Sequence, residues 1–218
     1  MLFDLHVLSE HSPAGRSPIE ELLRAALVRG LGGLAVCDRD SFEGSREACE
    51  RAAQFELLVI PAMAVQTEHG EIIGLFLEAP LVGRGFDELE QEIHGQNGLV
   101  VLSHPFCNGG PAPSEVLARI DLIEAYNAQS ASRRRRDENG RAQALARERG
   151  LPVTAGSEAR FPFEIGRGAV ELGAVKNLDQ ARDALLESGE GAIVVQNHSP
   201  LLDLAGRLTE TLFRLNNR

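Results

Sequence analysis

An α/β fold built on a largely parallel sheet is predicted by three features of the chain. Short apolar runs recur along its 218 residues. Longer stretches with helical spacing fall between them. The runs are continuous rather than alternating, as in strands buried on both faces. This repeated strand–helix order argues for a parallel sheet, open or closed into a barrel. A hydrophobic content of 43% suffices for one good core, and α/β barrels of this length need not split into domains.

Nine runs read as strands: residues 2–7, 34–37, 57–60, 72–77, 99–103, 122–125 and 152–155, and more weakly 169–172 and 192–195. The clearest helix begins at Ser17-Pro18-Ile19-Glu20. Ser17 is placed to cap it, Pro18 suits the first helical position, and Glu20 completes a capping box. Leu22, Leu23, Ala26 and Leu27 form its apolar face, and Gly30 is placed to end it. Further helices are expected over 44–55, 86–94, 131–149, 178–187 and 201–215. No internal repeat, low-complexity stretch or linker marks a second domain.

The formal charge is -10, from 22 basic and 32 acidic residues. An acidic surface argues against a nucleic-acid partner, because phosphate contacts need clustered Lys and Arg. It leaves room for a small anion in a local basic pocket. The arginine run at 133–136 reads either as such a patch or as the solvated start of a helix, with Asp137 and Glu138 as local partners. The three cysteines, Cys37, Cys49 and Cys107, show no C-x-x-C spacing. With no signal-like start they suggest a reduced, cytoplasmic chain. No apolar run is long enough to span a bilayer.

Polar motifs cluster where the predicted strands end: Asp4-Leu5-His6-Val7-Leu8-Ser9, Cys37-Asp38-Arg39-Asp40, Ser103-His104-Pro105 and Gly156-Ser157-Glu158-Ala159-Arg160. Ligands of α/β proteins gather at the carboxyl ends of strands, so these motifs are expected to share one pocket. In this order and spacing they resemble the PHP family (polymerase and histidinol phosphatase), whose patterns there run D-L-H-x-H-S, T-D-H-D, H-P and G-S-D-A-H. Ile60-Pro61-Ala62-Met63-Ala64, Glu68 to Leu75 and Ile123-Glu124-Ala125-Tyr126-Asn127 extend the resemblance over most of the chain. It implies a distorted (β/α)7 barrel, a single domain over 1–218 with a C-terminal extension from about 161 to 218, and metal-dependent phosphoesterase chemistry.

The resemblance also implies a trinuclear metal pocket, and here the match fails. Of the family's nine ligand positions, His6 and His104 keep a family-like ligand. Glu71 and Glu158 retain oxygen donors able to hold a metal. Leu8, Ala14 and Ala64 have no donor. Arg39 and Arg160 stay protonated and repel a cation. The expectation is therefore a catalytically impaired or inactive homologue that keeps ligand or partner binding and carries no cofactor. The alternative is a slow phosphoesterase with one divalent metal (Mn, Zn or Mg) on His6, Glu71, His104 and Glu158.

Arg39 and Arg160 bring fixed positive charge to where a metal would sit. Either they pair internally with Asp38, Asp40 or Glu158, or they hold a small anionic or phosphorylated ligand. A purely structural subunit is a third reading. His11, His69, His94 and His198 are expected at surfaces or in loops, with His11 near enough in sequence to replace the imidazole missing at Leu8. Cys37 is expected as a small core residue, and Cys107 is a further soft donor near His104.

Overall fold

The computed structural model describes residues 1–107, 110, 112–132 and 137–196. The arginine run at 133–136, His198 and the helix expected over 201–215 lie outside the described residues.

The strands are β1 Leu2–Val7, β2 Gly33–Val36, β3 Leu58–Thr67, β4 Gly70–Leu75, β5 Leu99–Leu102, β6 Leu122–Asn127, β7 Val153–Gly156, β8 Gly168–Glu171 and β9 Ile193–Val195. They form one sheet in the order β7-β6-β5-β4-β3-β2-β1-β8-β9. The sets β1–β3 and β5–β7 are parallel, β4 is antiparallel to both neighbours, and β8 and β9 are antiparallel additions beyond β1. The result is an α/β fold whose sheet curls into a nearly closed barrel. Nine strands, with a hairpin at β3–β4, replace the plain repeat of strand and helix.

Closure comes from the segment after β7. Val7 bridges Ala159 in parallel sense, and the Leu8 amide donates to the Ala159 carbonyl at 2.9 Å. Asp4 ties the same seam: its carboxylate accepts the amides of Ser157 at 2.9 Å and Gly166 at 2.8 Å. The backbones approach so closely that a Cβ on Gly156 would lie 2.3 Å from the His6 Cβ and 2.9 Å from the His6 nitrogen.

Helices cover the outside. α1 Ile19–Val28 and α2 Glu43–Arg51 pack against β1–β3 through Ile19, Leu22, Leu23, Ala26 and Ala48. α3 Phe86–Gly95, the short α4 Ser114–Leu117 and α6 Glu138–Arg149 cover β4–β7 through Phe86, Leu89, Ile93, Val116 and Leu145. Inside the barrel lie Phe3, Leu5, Ala35, Ile60, Ala62, Ile73, Leu75, Val101 and Leu122, with Ala181 and Leu185 of α7 Leu178–Leu186 joining this interior cluster.

Several boundaries differ from expectation. α1 starts at Ile19 with Pro18 at the cap position and no side-chain cap. Ser17 is buried, and its hydroxyl instead meets the Arg160 carbonyl at 3.4 Å. Gly30 does end the helix, at φ 70°. The 44–55 helix is α2 followed by a 3₁₀ turn over Ala52–Phe55. The 131–149 helix is two pieces, α5 Ala128–Ser132 and α6, with Asp137 capping α6 through the Gly140 amide. α4 follows Pro113 and is too short for periodicity to reveal.

Gly156→Ala is expected to cost about 1–3 kcal/mol, because its nearest neighbour is backbone-anchored and cannot yield. Gly95→Ala, with open space around it, serves as control and should be neutral or slightly stabilising. Urea midpoints of the two variants check this. Equal midpoints would show that the seam between β1 and β7 is looser than described.

Candidate functional site

Strand periodicity builds the site. Side chains two apart on a strand share a face, and the interior apolar columns each continue into a polar residue at one end. Ile73 and Leu75 continue to Glu71, Leu99 and Val101 to Ser103, Leu122 to Glu124, and Ala35 and Cys37 to Arg39. β4 runs opposite to its neighbours, so its first residues meet the last residues of β3 and β5. Thus Gln66 pairs with Glu71, and the Ser103 amide donates to the Glu71 carbonyl at 2.9 Å. Ala64 sits beside Arg39 through an isolated bridge. β1 shifts register between Asp4 and Val7, so Leu5 packs in the interior while its neighbour His6 also reaches the site.

Glu71 is the centre, 2% exposed. Arg39 donates to its Oε2 from Nε at 2.9 Å and also from Nη2. The Nε2 atoms of His104 and His6 lie 3.1 Å and 3.7 Å from its Oε1. That oxygen is buried and accepts no well-formed hydrogen bond. The two imidazoles stack, with centroids 5.8 Å apart. The other face of His6 meets Glu124, whose Oε1 is 3.0 Å from Nδ1. Glu124 also accepts from the Ser103 hydroxyl at 2.8 Å, the His104 amide at 2.9 Å and the Asn127 amide group.

The result is a series of alternating charge, Glu124, His6 and Glu71 buried, then His104 and the part-exposed Arg39. Burial alone would discharge the carboxylates and the imidazoles, since it penalises charged forms. For His6 burial is outweighed by the charge and hydrogen bond of Glu124, with Glu71 and Glu158 adding, and its pKa rises to about 10. For Glu71 burial is outweighed by the His104 contact and the charges of His6, His104 and Arg39, which hold it well below the usual range. Glu124 is likewise lowered, against burial, chiefly by His6. His104 is raised, against burial, by Glu71 and Glu124.

The remaining acids are engaged elsewhere. Burial outweighs the amides around Asp4 and pushes it up to about 6. Asp38 accepts the amide of Ser9 at 2.6 Å and its hydroxyl. Asp40 points outward to Arg84 at 3.4 Å. Arg39 therefore pairs internally, but with Glu71 rather than the expected Asp38, Asp40 or Glu158. Arg160 pairs with Glu158 at 3.4 Å, and its buried Nε has no partner. His11 stays outside, 3.4 Å from Glu47, and does not replace the imidazole missing at Leu8. Cys37 is a buried small residue against the Leu5 carbonyl.

Three residues at the strand ends hold left-handed backbone: Asp40 at φ 59°, His104 at φ 26° and Glu158 at φ 49°. Such conformations cost about 1–3 kcal/mol each and cluster at functional sites. A cavity of about 260 Å³ opens beside His104, lined by Thr67, Glu68, His69, Glu71 and Pro113 among others. Among the described residues, no group of three or more His, Cys, Asp or Glu side chains is arranged to hold a metal ion. Of the expected donors, His6, Glu71 and His104 lie within 4 Å of one another through Glu71 Oε1.

Comparison with known proteins agrees with this architecture. Residues 136–188 match the model of the PHP-associated family. That segment is about a quarter of the chain; beyond it the likeness to PHP-like proteins is one of fold. Among PHP-like structures, one similar to it is a two-domain protein from Bacteroides vulgatus containing a predicted PHP-like metal-dependent phosphoesterase. The TM-score is 0.74 at 16% identity over 91% of this chain, which spans only 65% of that protein. An amidohydrolase from Chromobacterium violaceum, solved with bound sulfate and no metal, aligns with a TM-score of 0.65 at 16% identity, over 88% of this chain and 97% of that one. An uncharacterized protein from Methanocaldococcus jannaschii is 28% identical over 141 residues, 59% of this chain and 82% of its own length.

The PHP motifs led to His6, Glu71 and His104, which the structure brings together. They did not single out Glu124, though the signal was present: a glutamate two residues after Leu122, on the interior face of a buried strand.

Arg39→Met is expected to cost about 1–3 kcal/mol in urea denaturation, the penalty of leaving a buried carboxylate oxygen without its donor. The pH dependence follows from His6. Its folded pKa lies above its unfolded value, so its contribution is complete below about 6.5 and is lost as pH rises to about 10. The urea midpoint of metal-free protein should fall across that window, and Glu124→Gln should flatten the fall. A midpoint independent of pH there would contradict the alternating-charge arrangement.

Proposed function

We propose that this PHP-fold protein has lost the trinuclear phosphoesterase centre and binds a small anion, phosphorylated or carboxylated, without hydrolysing it. One observation carries the reading: the Arg39 guanidinium is seated on Glu71, the acid best placed to hold a metal. A metal would have to displace a fixed cation there. Leu8 and Ala64 supply no donor at the same strand ends. Arg39 is 41% and Arg160 32% exposed at the side chain, so both retain donor capacity for an incoming anion. The sulfate held without metal by the similar amidohydrolase is in keeping with this.

A second reading has its own support. Glu71 Oε1 accepts no hydrogen bond and faces Nε2 of both histidines. These three donors, joined by Glu158, would form one divalent site once both imidazoles lost their protons. Such an ion would polarise a phosphate ester and lower the pKa of bound water, and Arg39 and Arg160 would orient the ester.

Elemental mass spectrometry before and after incubation with Mn²⁺ or Zn²⁺, combined with calorimetry against phosphate and sulfate, separates the two. The first reading expects less than about a tenth of an equivalent of metal, and anion binding weakened about tenfold or more in Arg160→Ala, as for loss of one charge-assisted contact. About one equivalent of tightly held metal, with slow phosphomonoester hydrolysis lost in His104→Ala, would establish the second and overturn the first.

A further inference from the structure

We infer that the cavity beside His104 takes a short hydroxylated carbon chain, so that the ligand is a small polyhydroxylated anion. This rests on the anion reading above, which seats the charged group of the ligand on Arg39 and Arg160 and leaves its other end unassigned. The cavity measures about 260 Å³. Sites for drug-sized ligands run to about 300–1,000 Å³, so this one suits a fragment of a few carbons. Glu71 links the two places. Arg39 is seated on its Oε2, and the same side chain lines the cavity. An anion held by that guanidinium is therefore next to the cavity.

The polar groups of the lining fall into two kinds, engaged and available. Thr67 is engaged within the β3–β4 hairpin: its hydroxyl donates to the Gly70 carbonyl at 2.7 Å and accepts the His69 amide at 3.1 Å. Ser103 donates to Glu124 at 2.8 Å. Glu68 gives Oε1 to the Phe86 amide at 3.3 Å and lies 3.5 Å from His69 Nε2 through the same oxygen. Its Oε2 has no partner among the described residues. Glu71 Oε1 is buried and accepts no well-formed hydrogen bond. His104 turns Nε2 to Glu71, and its Nδ1 has no partner among the described residues. The His69 ring is held edge-on against Phe86.

Two carboxylates and two imidazoles thus share one small space, and this decides the class of group that fits. An ammonium only donates, so it offers nothing to an imidazole N–H. A second anionic group only accepts, and it would face Glu68 and Glu71 with like charge. A hydroxyl donates to a carboxylate and accepts from an imidazole at once. Neighbouring hydroxyls on one carbon chain meet both kinds of partner, while Pro105, Ala112 and Pro113 give its C–H face apolar contact.

Calorimetry of the metal-free 218-residue chain tests this with inorganic phosphate, propyl phosphate, 3-aminopropyl phosphate and glycerol 3-phosphate. Glycerol 3-phosphate should bind at least about tenfold tighter than propyl phosphate, as for an added hydrogen bond to a charged group. Glu68→Ala, at an exposed position, should cut that preference to about threefold or less, and His69→Ala should lower it in the same way. Equal affinity for the two esters, with phosphate still bound, would overturn the inference and leave the anion reading in place. A preference unmoved by both substitutions would also overturn it. Tightest binding of 3-aminopropyl phosphate would do so by assigning the cavity to a cation. Binding of none of the four would overturn the anion reading and the inference together.

Discussion

Glu71 places a carboxylate at the mouth of a barrel where water scarcely reaches it. A charge in such a place costs several kcal/mol unless it is paired and hydrogen-bonded. Much of the site follows from meeting that constraint. Arg39 comes from the end of β2, His6 from β1 and His104 from the end of β5. His6 then needs its own counter-charge, which Glu124 supplies from β6. One buried carboxylate thus commits polar groups on five strands. These charges gather at the same strand ends that carry the motifs, next to the seam that Asp4 ties.

The backbone makes that convergence geometrically available. β4 runs against its neighbours and brings its first residues level with the last residues of β3 and β5. The irregular register of β1 lets both Leu5 and His6 contribute inward. Gly156 lets β7 approach β1 closely enough for Glu124 and His6 to meet. Left-handed residues at His104 and Glu158 turn the chain as it leaves β5 and β7. These devices act through the backbone rather than through a donor atom. A barrel of this kind can keep its mouth in shape after the ligands change.

The strands were largely legible because each is a buried apolar run, a property of local composition. β3 was read too short, since Pro61 and the small residues after it mask a strand that continues to Thr67. Helix starts were less legible: Ser17 has the composition of a cap, yet tertiary contact with the 160 segment claims its hydroxyl. At the site, motif spacing located His6, Glu71 and His104 but misassigned the partner of Arg39. Asp38 and Asp40 are its neighbours in sequence, whereas adjacent residues on an extended chain point to opposite sides. Glu71 is 32 positions away in the chain and adjacent in space. Glu124 escaped notice because a strand glutamate resembles an interruption of an apolar run until its cross-strand neighbours are known.

Replacing metals by arginine changes which tasks a pocket can perform. A guanidinium offers fixed, planar donors and suits the oxygens of a phosphate or carboxylate. It has no open coordination position, so it orients an anion without turning bound water into hydroxide. A pocket that met its buried carboxylates with Arg39 and two imidazoles would keep recognition and lose the agent of hydrolysis. The point where that division becomes chemical is Glu71 Oε1, the one oxygen of the central carboxylate that accepts no well-formed hydrogen bond. Occupied by the two imidazolium protons, it completes an ion-pair network. Facing two neutral imidazoles, it would be the third donor of the metal site proposed as the alternative. On that proposal, proton and metal would compete for the same position.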